Sequence, residues 1–424
     1  MINAVRGTKD ILPSEIPLWY FVEKTLHNVS NLFGFKEIRT PIFERTEVFL
    51  RSIGSETDIV NKEMYTFLDR GGDSITLRPE MTASVVRAII QNNLLAENSI
   101  LRLWYYGPLF RYERPQKGRL RQFHQYGAEL IGSPEPEADV EIILLAKEIV
   151  ERLGILNYKL LLNSIGNRTS RQRYKQELIS YFEKYANSLS NDSQERLRKN
   201  PLRILDSKDE RDLEFIKNCP KIYDYFDKES LEHYNKTKEL LALNHIEFQE
   251  TPHLVRGLDY YTHTVFEFQS PILGAQDSFG GGGRYNELFT EFGFKKEVAA
   301  TGFALGIERI LLILESQQKT LPNGSPLVYI AFNKPEFISK VFETAYFLRK
   351  HDIPTLFDVQ KKSLKAQMKE ANKYGVKFVI IFGDDEINNN TITIKDMKKS
   401  EQTTYPFEKG IEIILNSKSA NEDN

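Results

Sequence analysis

Residues 101–131 read LRLWYYGPLFRYERPQKGRLRQFHQYGAELI, and this stretch decides the fold. Two strand-like segments flank a basic, turn-rich loop, Arg114-Pro115-Gln116-Lys117-Gly118. An antiparallel hairpin is the simplest structure for this arrangement, because a short turn can join antiparallel strands but not parallel ones. We therefore predict an antiparallel β-hairpin that forms part of a sheet.

Side chains alternate between the two faces of a strand, so the hairpin residues can be sorted by position. One face of the return strand is predicted to carry Arg119, Arg121, Phe123, Gln125, Gly127 and Glu129. His124 falls on the opposite face. On the outgoing strand, Arg111 aligns with the first face.

This shared face suits an anionic, aromatic ligand. An arginine such as Arg111 presents a planar fork to phosphate or carboxylate, and Phe123 offers a stacking surface for a base. Gly127 is expected to leave room for close approach of that ligand. The alternative, a solvated sheet face with surface arginines, remains open from the pattern alone.

Upstream, residues 76–82 (TLRPEMT) run from a strand into a helix-periodic segment. Glu80 and Thr82 lie at this transition, where acidic and hydroxyl side chains favour a helix start. Capping is the simpler interpretation of both residues. Holding the ammonium group of a ligand is the functional one.

Two later segments contain glycines beside charged residues. Arg256 precedes Gly257 in VRGLDYYTHTVFEF, and residues 279–285 (FGGGGRY) contain four successive glycines. The glycine run matches neither the GxGxxG pattern nor a P-loop, so a flexible loop is one interpretation of it.

Residues 300–314 predict a strand that turns at Gly306 into an almost wholly apolar helix. Glu308 and Arg309 place two charges at the start of this buried element, and buried charges require partners. An ion pair between these two residues is one possibility. A substrate phosphate is the other.

Composition sets the context. The chain has 424 residues, a formal net charge of -2 and a single cysteine, Cys219, which excludes an internal disulfide. No signal-peptide pattern or apolar run of membrane-spanning length is present, so we expect a soluble, cytoplasmic protein without a membrane association.

The organisation predicts an α/β protein in four segments. An α+β domain on an antiparallel sheet is expected over residues 1–167 and 246–320, interrupted by a charge-rich helical insertion over 168–245. The polar break at 321–326 predicts a linker. Residues 326–424 alternate buried strands with helices, which is typical of a small α/β domain with a parallel or mixed sheet.

Together these pieces resemble class II aminoacyl-tRNA synthetases. Residues 35–41 (FKEIRTP) are similar to that class's motif 1, residues 110–123 to motif 2, and residues 302–309 to motif 3. Residues 254–261 (LVRGLDYY) and 279–285 resemble the two histidine-specific motifs of the histidyl-tRNA synthetase family. The joint order of these motifs is far more specific than any one of them.

The resemblance implies a role for each matching residue. Arg111, Arg119, Phe123 and Arg309 would bind ATP, with Phe123 stacking on adenine. Arg256 and Arg111 would be the catalytic residues, and none of the assigned residues would be a metal ligand. The residues implied for histidine are Glu80, Thr82, Arg111, Gln125, Glu129, Arg256, Tyr260, Tyr261 and Tyr285.

The resemblance also implies substrates and partners. The reaction would be ATP-dependent ligation of L-histidine to tRNA(His) through a histidyl-adenylate, with Mg²⁺ bound to the ATP. Gln116 and Lys117 would meet the acceptor end of the tRNA, the C-terminal domain would bind the anticodon, and motif 1 would form a homodimer. The rival is a synthetase-like regulatory subunit that senses histidine without charging tRNA.

Overall fold

The structure, a computed structural model, describes residues 2–53, 59–318 and 327–417. The chain divides into two units, Met1–Leu321 and Pro322–Asn424. The linker predicted at 321–326 lies outside the described residues, and so does the polar tail after residue 417. Among the described residues, no helix is both long enough and apolar enough to cross a bilayer.

A large mixed sheet organises the first unit. Its eight strands follow the order β1-β5-β6-β11-β10-β9-β7-β8, and a small second sheet has the order β2-β4-β3. The strands are β1 Lys36–Glu37, β2 Phe43–Arg45, β3 Tyr65–Leu68, β4 Ser74–Leu77, β5 Leu101–Phe110, β6 Gln122–Ile131, β7 Lys159–Ser164, β8 Gln249–Glu250, β9 Thr262–Gln269, β10 Ser278–Arg284 and β11 Ala300–Gly306. The expected antiparallel sheet is confirmed for the six central strands, whereas β1 and β8 join the edges in parallel.

The predicted hairpin is strands β5 and β6. Leu109 pairs with Phe123 and Gly107 with Gln125, so the alternation expected from the sequence holds along the strand. Strand β5 ends at Phe110 and strand β6 begins only at Gln122, however, so Arg111, Arg119 and Arg121 lie in the connecting segment and not on a strand. The turn around Gly118, whose φ is +73°, occupies more residues than expected. The pairing of β5 with β6 therefore ends before it reaches these arginines.

Helices cover both faces of the sheet. The α-helices of this unit are α1 Ile16–Leu32, α2 Thr46–Ile53, α3 Thr82–Gln91, α4 Pro136–Arg152, α5 Arg168–Phe182, α6 Asn191–Lys199, α7 Glu210–Lys217, α8 Lys228–Leu243, α9 Leu288–Glu291 and α10 Ile307–Ser316. Apolar residues of α1, α4 and α10 pack on one face, against Trp104, Tyr126 and Phe303. The other face packs against α3 and α5, and it carries the site described below.

The charge-rich region after residue 167 is helical, as its periodicity predicts. Helices α5 to α8 alternate with short 3-10 segments, which are Glu183–Ser188, Pro201–Asp206 and Ile222–Tyr225. Polar side chains begin several of these helices: Asn167, Ser190 and Asp227 each accept a backbone N–H of the first turn. The boundaries of this insertion at 168 and 245 remain a proposal.

The second unit is a separate α/β fold with a mixed sheet. Its strands follow the order β13-β12-β14-β15-β16, with the first three parallel and the last two antiparallel. The elements are β12 Val328–Phe332, α11 Ile338–Lys350, β13 Thr355–Phe357, α12 Leu364–Tyr374, β14 Phe378–Phe382, α13 Asp384–Asn388, β15 Thr391–Asp396, β16 Glu401–Pro406 and α14 Phe407–Asn416. The strand-helix alternation predicted for this region is confirmed.

Candidate active site

A cleft of about 870 Å³ lies on the sheet face opposite helices α1 and α10. Strands β5, β6, β10 and β11 supply its floor, and residues after β8 and from the insertion supply one wall. The cleft brings together the residues that the sequence singled out for ATP and histidine: Glu80, Thr82, Arg111, Arg119, Phe123, Gln125, Glu129, Arg256, Tyr260, Tyr261, Tyr285 and Arg309.

Glu129 forms the buried end of this cleft, with only 1% of its surface exposed. Its Oε1 accepts hydrogen bonds from the hydroxyls of Thr82, at 2.9 Å, and Tyr105, at 2.8 Å. Its Oε2 accepts one from Tyr285 at 2.6 Å. Three hydroxyls from three different segments therefore fix the orientation of this carboxyl group.

Burial dominates the ionisation of Glu129. Removal from water raises its pKa to about 8, although the hydrogen bonds from Tyr285, Tyr105 and Thr82 favour the charged form. The carboxyl group therefore titrates near neutral pH and can hold or release a proton there. Such a perturbed acid inside a cleft is a mark of a functional site.

Glu80 is a second buried acid, and it is only partly satisfied. Its Oε1 accepts the backbone N–H of Ala83 at 2.9 Å, which stabilises the start of helix α3. Its Oε2 is buried and has no hydrogen-bond partner within the part of the chain that the structure describes. Burial raises the pKa of Glu80 to about 7, and nearby Arg111 opposes that shift. Both interpretations of Glu80 thus have support, because one oxygen caps the helix and the other suits a ligand cation.

Arginines also line the cleft, and one of them, Arg111, lies beside Glu80. Arg111 donates from Nε to the carbonyl of Pro79 at 2.9 Å and lies 5.3 Å from the centre of the Phe123 ring. Arg119 is paired with Glu113, whose Oε2 is 2.8 Å from its Nε. These contacts orient two guanidinium groups and one aromatic ring toward a shared space.

Arg309 extends from the first turn of α10 into the same cleft. It donates to the carbonyls of Gly118, at 3.2 Å, and Ser278. Burial, reinforced by the neighbouring Arg119, lowers its pKa. Positive charges gathered at one wall repel each other, and a polyanionic ligand would relieve that repulsion.

Arg256 lines the same cleft, where it forms an ion pair with Glu267. Its Nε is buried and has no hydrogen-bond partner among the described residues. Beside it, Tyr260 and Tyr261 are buried, with ring centres 4.7 Å apart, and Tyr260 meets Tyr285 edge-on at 5.7 Å. An aromatic pocket therefore surrounds the Glu129 end of the cleft.

Glycines shape this pocket in a way that the sequence does not reveal. Gly127 does not leave room for a ligand, because the Tyr105 ring fills the space where its side chain would lie. The run from Gly280 to Gly283 is not a flexible loop but the body of strand β10. A side chain on Gly281 would press on the Arg256 guanidinium, and one on Gly302 would overlap the Glu129 carboxylate.

The charges at the start of α10 do not pair with each other. Glu308 instead accepts hydrogen bonds from His124, through its backbone N–H and its ring Nδ1, each at 2.9 Å. His124 lies on the opposite face, where its ring packs edge-on against Trp19, as predicted. Gln116 and Lys117 lie at the exposed tip of the hairpin and outside the cleft.

Three contributors were missed from the sequence. Tyr105 follows the same alternation as Gly107 and Arg111, so an extension of the strand pattern by one more position would have found it. Glu113 and Glu267 form ion pairs with Arg119 and Arg256, and neither carboxylate was assigned a role, although the strand alternation aligns Glu113 with Arg111.

Comparisons with known proteins agree with this geometry. The family model described as histidyl-tRNA synthetase matches residues 7–310, and the anticodon binding domain model matches residues 327–417. A histidine--tRNA ligase of Rippkaea orientalis is 47% identical over 95% of this chain and 94% of that protein. The apo histidyl-tRNA synthetase of S. aureus, a solved structure, has a TM-score of 0.83 at 36% identity, over 98% of this chain and 100% of that chain.

A third relative concerns the rival interpretation. The Bacillus halodurans structure titled as an ATP phosphoribosyltransferase regulatory subunit/histidyl-tRNA synthetase has a TM-score of 0.64 at 23% identity, over 90% of this chain and 98% of that chain. At this identity the likeness shows the shared fold alone, so the fold does not separate the two functions.

An antiparallel sheet that carries an arginine-lined cleft, with motifs 1, 2 and 3 in order along the chain, defines a class II aminoacyl-tRNA synthetase. The match over residues 7–310 and the near-half identity across 95% of the chain narrow this class to one family. The chain belongs to the histidyl-tRNA synthetase family.

Proposed function

We propose that the protein activates L-histidine with ATP and transfers it to tRNA(His). The observation that carries this proposal is the shape of the cleft. The cleft joins a pocket around the buried acids Glu129 and Glu80 to a cluster of the arginines Arg111, Arg119 and Arg309, and Arg111 lies beside Glu80 where the two regions meet. An amino acid and a nucleotide triphosphate require these two environments side by side.

Histidine recognition would rest on the buried acids. The imidazole has two ring nitrogens, and Glu129, with Tyr261 nearby, would satisfy both. The unpartnered Oε2 of Glu80, assisted by Thr82 and Gln125, would accept the α-ammonium group. A wrong amino acid would leave these buried polar groups without partners, and this is the main source of discrimination at such a site.

Activation needs positioned charge more than a protein nucleophile. The histidine carboxylate attacks the α-phosphorus, the bond to the bridging oxygen breaks, and pyrophosphate leaves. Arg111 and Arg256 would stabilise the negative charge that develops on the α-phosphate oxygens. Arg119 and Arg309 would hold the outer phosphates, and Phe123 would stack on adenine.

Mg²⁺ is expected to arrive with ATP, and it would neutralise phosphate charge when bound. In residues 2–53, 59–318 and 327–417, no group of three or more His, Cys, Asp or Glu side chains is arranged to hold a metal by itself. Mg²⁺ commonly takes one or two carboxylates together with substrate phosphates. Glu113 and Glu267, which line the cleft beside the arginines, are the carboxylates that we propose for this role.

The second step transfers the activated histidine. The terminal ribose hydroxyl of the tRNA attacks the carbonyl carbon of the adenylate, AMP leaves, and the hydroxyl proton passes to solvent or phosphate. Gln116 and Lys117, exposed at the hairpin tip, would contact the acceptor end. A homodimer built through motif 1, anticodon binding by the second unit and a cytoplasmic location are further parts of the proposal.

Histidine-dependent exchange of pyrophosphate into ATP tests the proposal directly. The full chain is expected to catalyse exchange with histidine and not with the other amino acids, and to charge tRNA(His) in a second assay. Exchange without charging would instead favour the regulatory alternative. The presence of Arg256, Arg309 and a C-terminal α/β unit argues for the enzyme, since regulatory relatives typically lose these features.

A further inference from the structure

The loop that carries Arg256, Tyr260 and Tyr261 has almost no backbone support of its own. Residues 254–261 form neither helix nor strand. The backbone groups of residues 255–261 make no hydrogen bond with another backbone group in the described part of the chain. A loop that must place three site residues therefore depends on side chains from elsewhere for its shape.

Those side chains come from the helical insertion. Arg203, in the 3-10 segment Pro201–Asp206, donates from one nitrogen to the Gly257 carbonyl at 2.7 Å and to Asp259 Oδ1 at 3.0 Å. Asn200 donates to the same Asp259 oxygen at 3.1 Å. These two acceptors lie between Arg256 and Tyr260 in the chain. The contacts therefore hold the part of the loop that joins its functional residues.

A second arginine of the insertion holds the end of the same loop. Arg171 on α5 donates to the Tyr261 carbonyl, and it pairs with Glu287 at 3.1 Å. Glu287 lies two residues after Tyr285, so Arg171 joins the two segments that form the histidine pocket. Arg171 and Arg203 are both largely buried, with side chains 13% and 16% exposed. Partly buried charged hydrogen bonds of this kind are stronger than surface ion pairs.

We propose that Arg203, with Arg171, is a positioning residue: the insertion clamps the loop 254–261 and so sets the placement of Arg256 and the tyrosines for the reaction. This inference rests on the proposed function, because it assigns the insertion a part in histidine activation. Arg203 does not line the cleft, so it acts through the loop. Substitution of Arg203 would therefore alter activation without any change to a residue that lines the cleft.

The experiment compares Arg203→Ala, Arg203→Lys and a matched control, Arg198→Ala, in the full chain. Arg198 is exposed on α6 of the same insertion. Each variant is measured for kcat and KM of histidine-dependent exchange, for Tm, and for the rate at which trypsin cuts after Arg256 in the absence of substrates. Trypsin reports on loop order without any need for activity.

Loss of a charged group that donates hydrogen bonds to two acceptors changes an equilibrium constant or a rate constant by about tenfold or more. Arg203→Ala is expected to raise cleavage after Arg256 and the KM for histidine and to lower kcat, each by about that factor. Its Tm should change no more than that of Arg198→Ala. Arg203→Lys can restore one of the two contacts, so its values should lie between those of Arg203→Ala and the unchanged chain.

Three results would overturn the inference: unchanged kinetics, reduced kinetics with unchanged cleavage, or reduced kinetics that follow a drop in Tm. A merely structural contact would give the last of these. Absence of exchange in the unaltered chain would refute the proposed function instead. The cleavage rates would then still decide whether Arg203 holds the loop.

Discussion

The hydroxyl of Tyr285 lies 2.6 Å from Oε2 of Glu129, although Glu129 lies on β6 and Tyr285 follows β10, and these two strands are not neighbours. Strand β11 runs between β6, which carries Glu129, and β10, which ends just before Tyr285. At the crossing point β11 contributes Gly302, which pairs with Glu129 on one side and Gly283 on the other. The contact exists because that position has no side chain.

Tyr285→Phe should therefore weaken histidine binding. The change removes one donor from a buried carboxyl group, and an unsatisfied buried acceptor costs about 1–3 kcal/mol. We expect the KM for histidine in pyrophosphate exchange to rise by about tenfold or more, with little change in the KM for ATP. Tyr158→Phe is the matched control, because Tyr158 also donates to a glutamate, Glu151, but outside the cleft. Equal effects of the two changes on the KM for histidine would contradict the assignment of Tyr285 to the histidine pocket.

Gly302→Ala should disrupt the same pocket from the middle strand. The new methyl group would overlap the Glu129 carboxylate and would displace it from Tyr285 and Thr82. We expect near-complete loss of histidine-dependent exchange, whereas Gly71→Ala in an exposed turn should keep it. Histidine binding measured by calorimetry would identify the cause, and normal binding by Gly302→Ala would refute it.

Glu129 should also make stability depend on pH. Its pKa is about 8 in the folded protein and near the ordinary value of 4.5 in the unfolded chain, so the folded state binds the extra proton between these values. Its contribution is complete below about pH 4.5 and is lost as the pH rises through about 8. Glu129→Gln removes this titration.

We therefore expect Glu129→Gln to gain stability relative to the unaltered chain as the pH rises from 5 to 9, in urea unfolding without ligand. The same variant should lose histidine selection, because the amide can no longer accept at both positions. The surface change Glu97→Gln is the control. A stability difference that stays constant with pH would mean that Glu129 is charged throughout.

Sequence patterns predict much of this fold because they act locally. The period-two alternation of residues 101–131 gives the hairpin and its shared face, and the strand-to-helix transitions at Thr82 and Gly306 are local signals. The sequence could not reveal the space around Gly127 or the pairing of Glu308 with His124. The first depends on a ring from the neighbouring strand, and the second depends on a contact between residues that are distant in the chain.

The site shows the same division. The alternation placed Arg111, Phe123, Gln125 and Glu129 together, but the functional roles came from the resemblance. The glycine run looked like a loop because glycine is rare in strands. The structure makes it a strand because close packing against both neighbours, β9 and β11, leaves no room for side chains. Long-range packing, which local patterns do not encode, decided this element.

Arg256→Ala should abolish activation with little loss of fold. Loss of one charge-stabilising group at a transition state lowers kcat by about 10²–10³. The change also leaves Glu267 without its cation, which costs some stability. The double variant Arg256→Ala/Glu267→Gln should recover Tm but not exchange, and Glu267→Gln alone is the control because Glu267 is itself proposed to hold Mg²⁺. Recovery of exchange in the double variant would show that Arg256 serves only to neutralise Glu267.

Lys117→Ala should separate the two steps of the reaction. Lys117 is exposed at the hairpin tip and does not line the cleft, so histidine-dependent exchange should remain unchanged. In charging of tRNA(His), the KM for tRNA should rise roughly fivefold, because the lost phosphate contact is worth about 1 kcal/mol. This effect should shrink at high salt. Lys295→Ala, an exposed lysine outside the hairpin, is the control. An equal loss in both assays would place Lys117 in activation, because only a residue that acts before the adenylate forms can slow exchange.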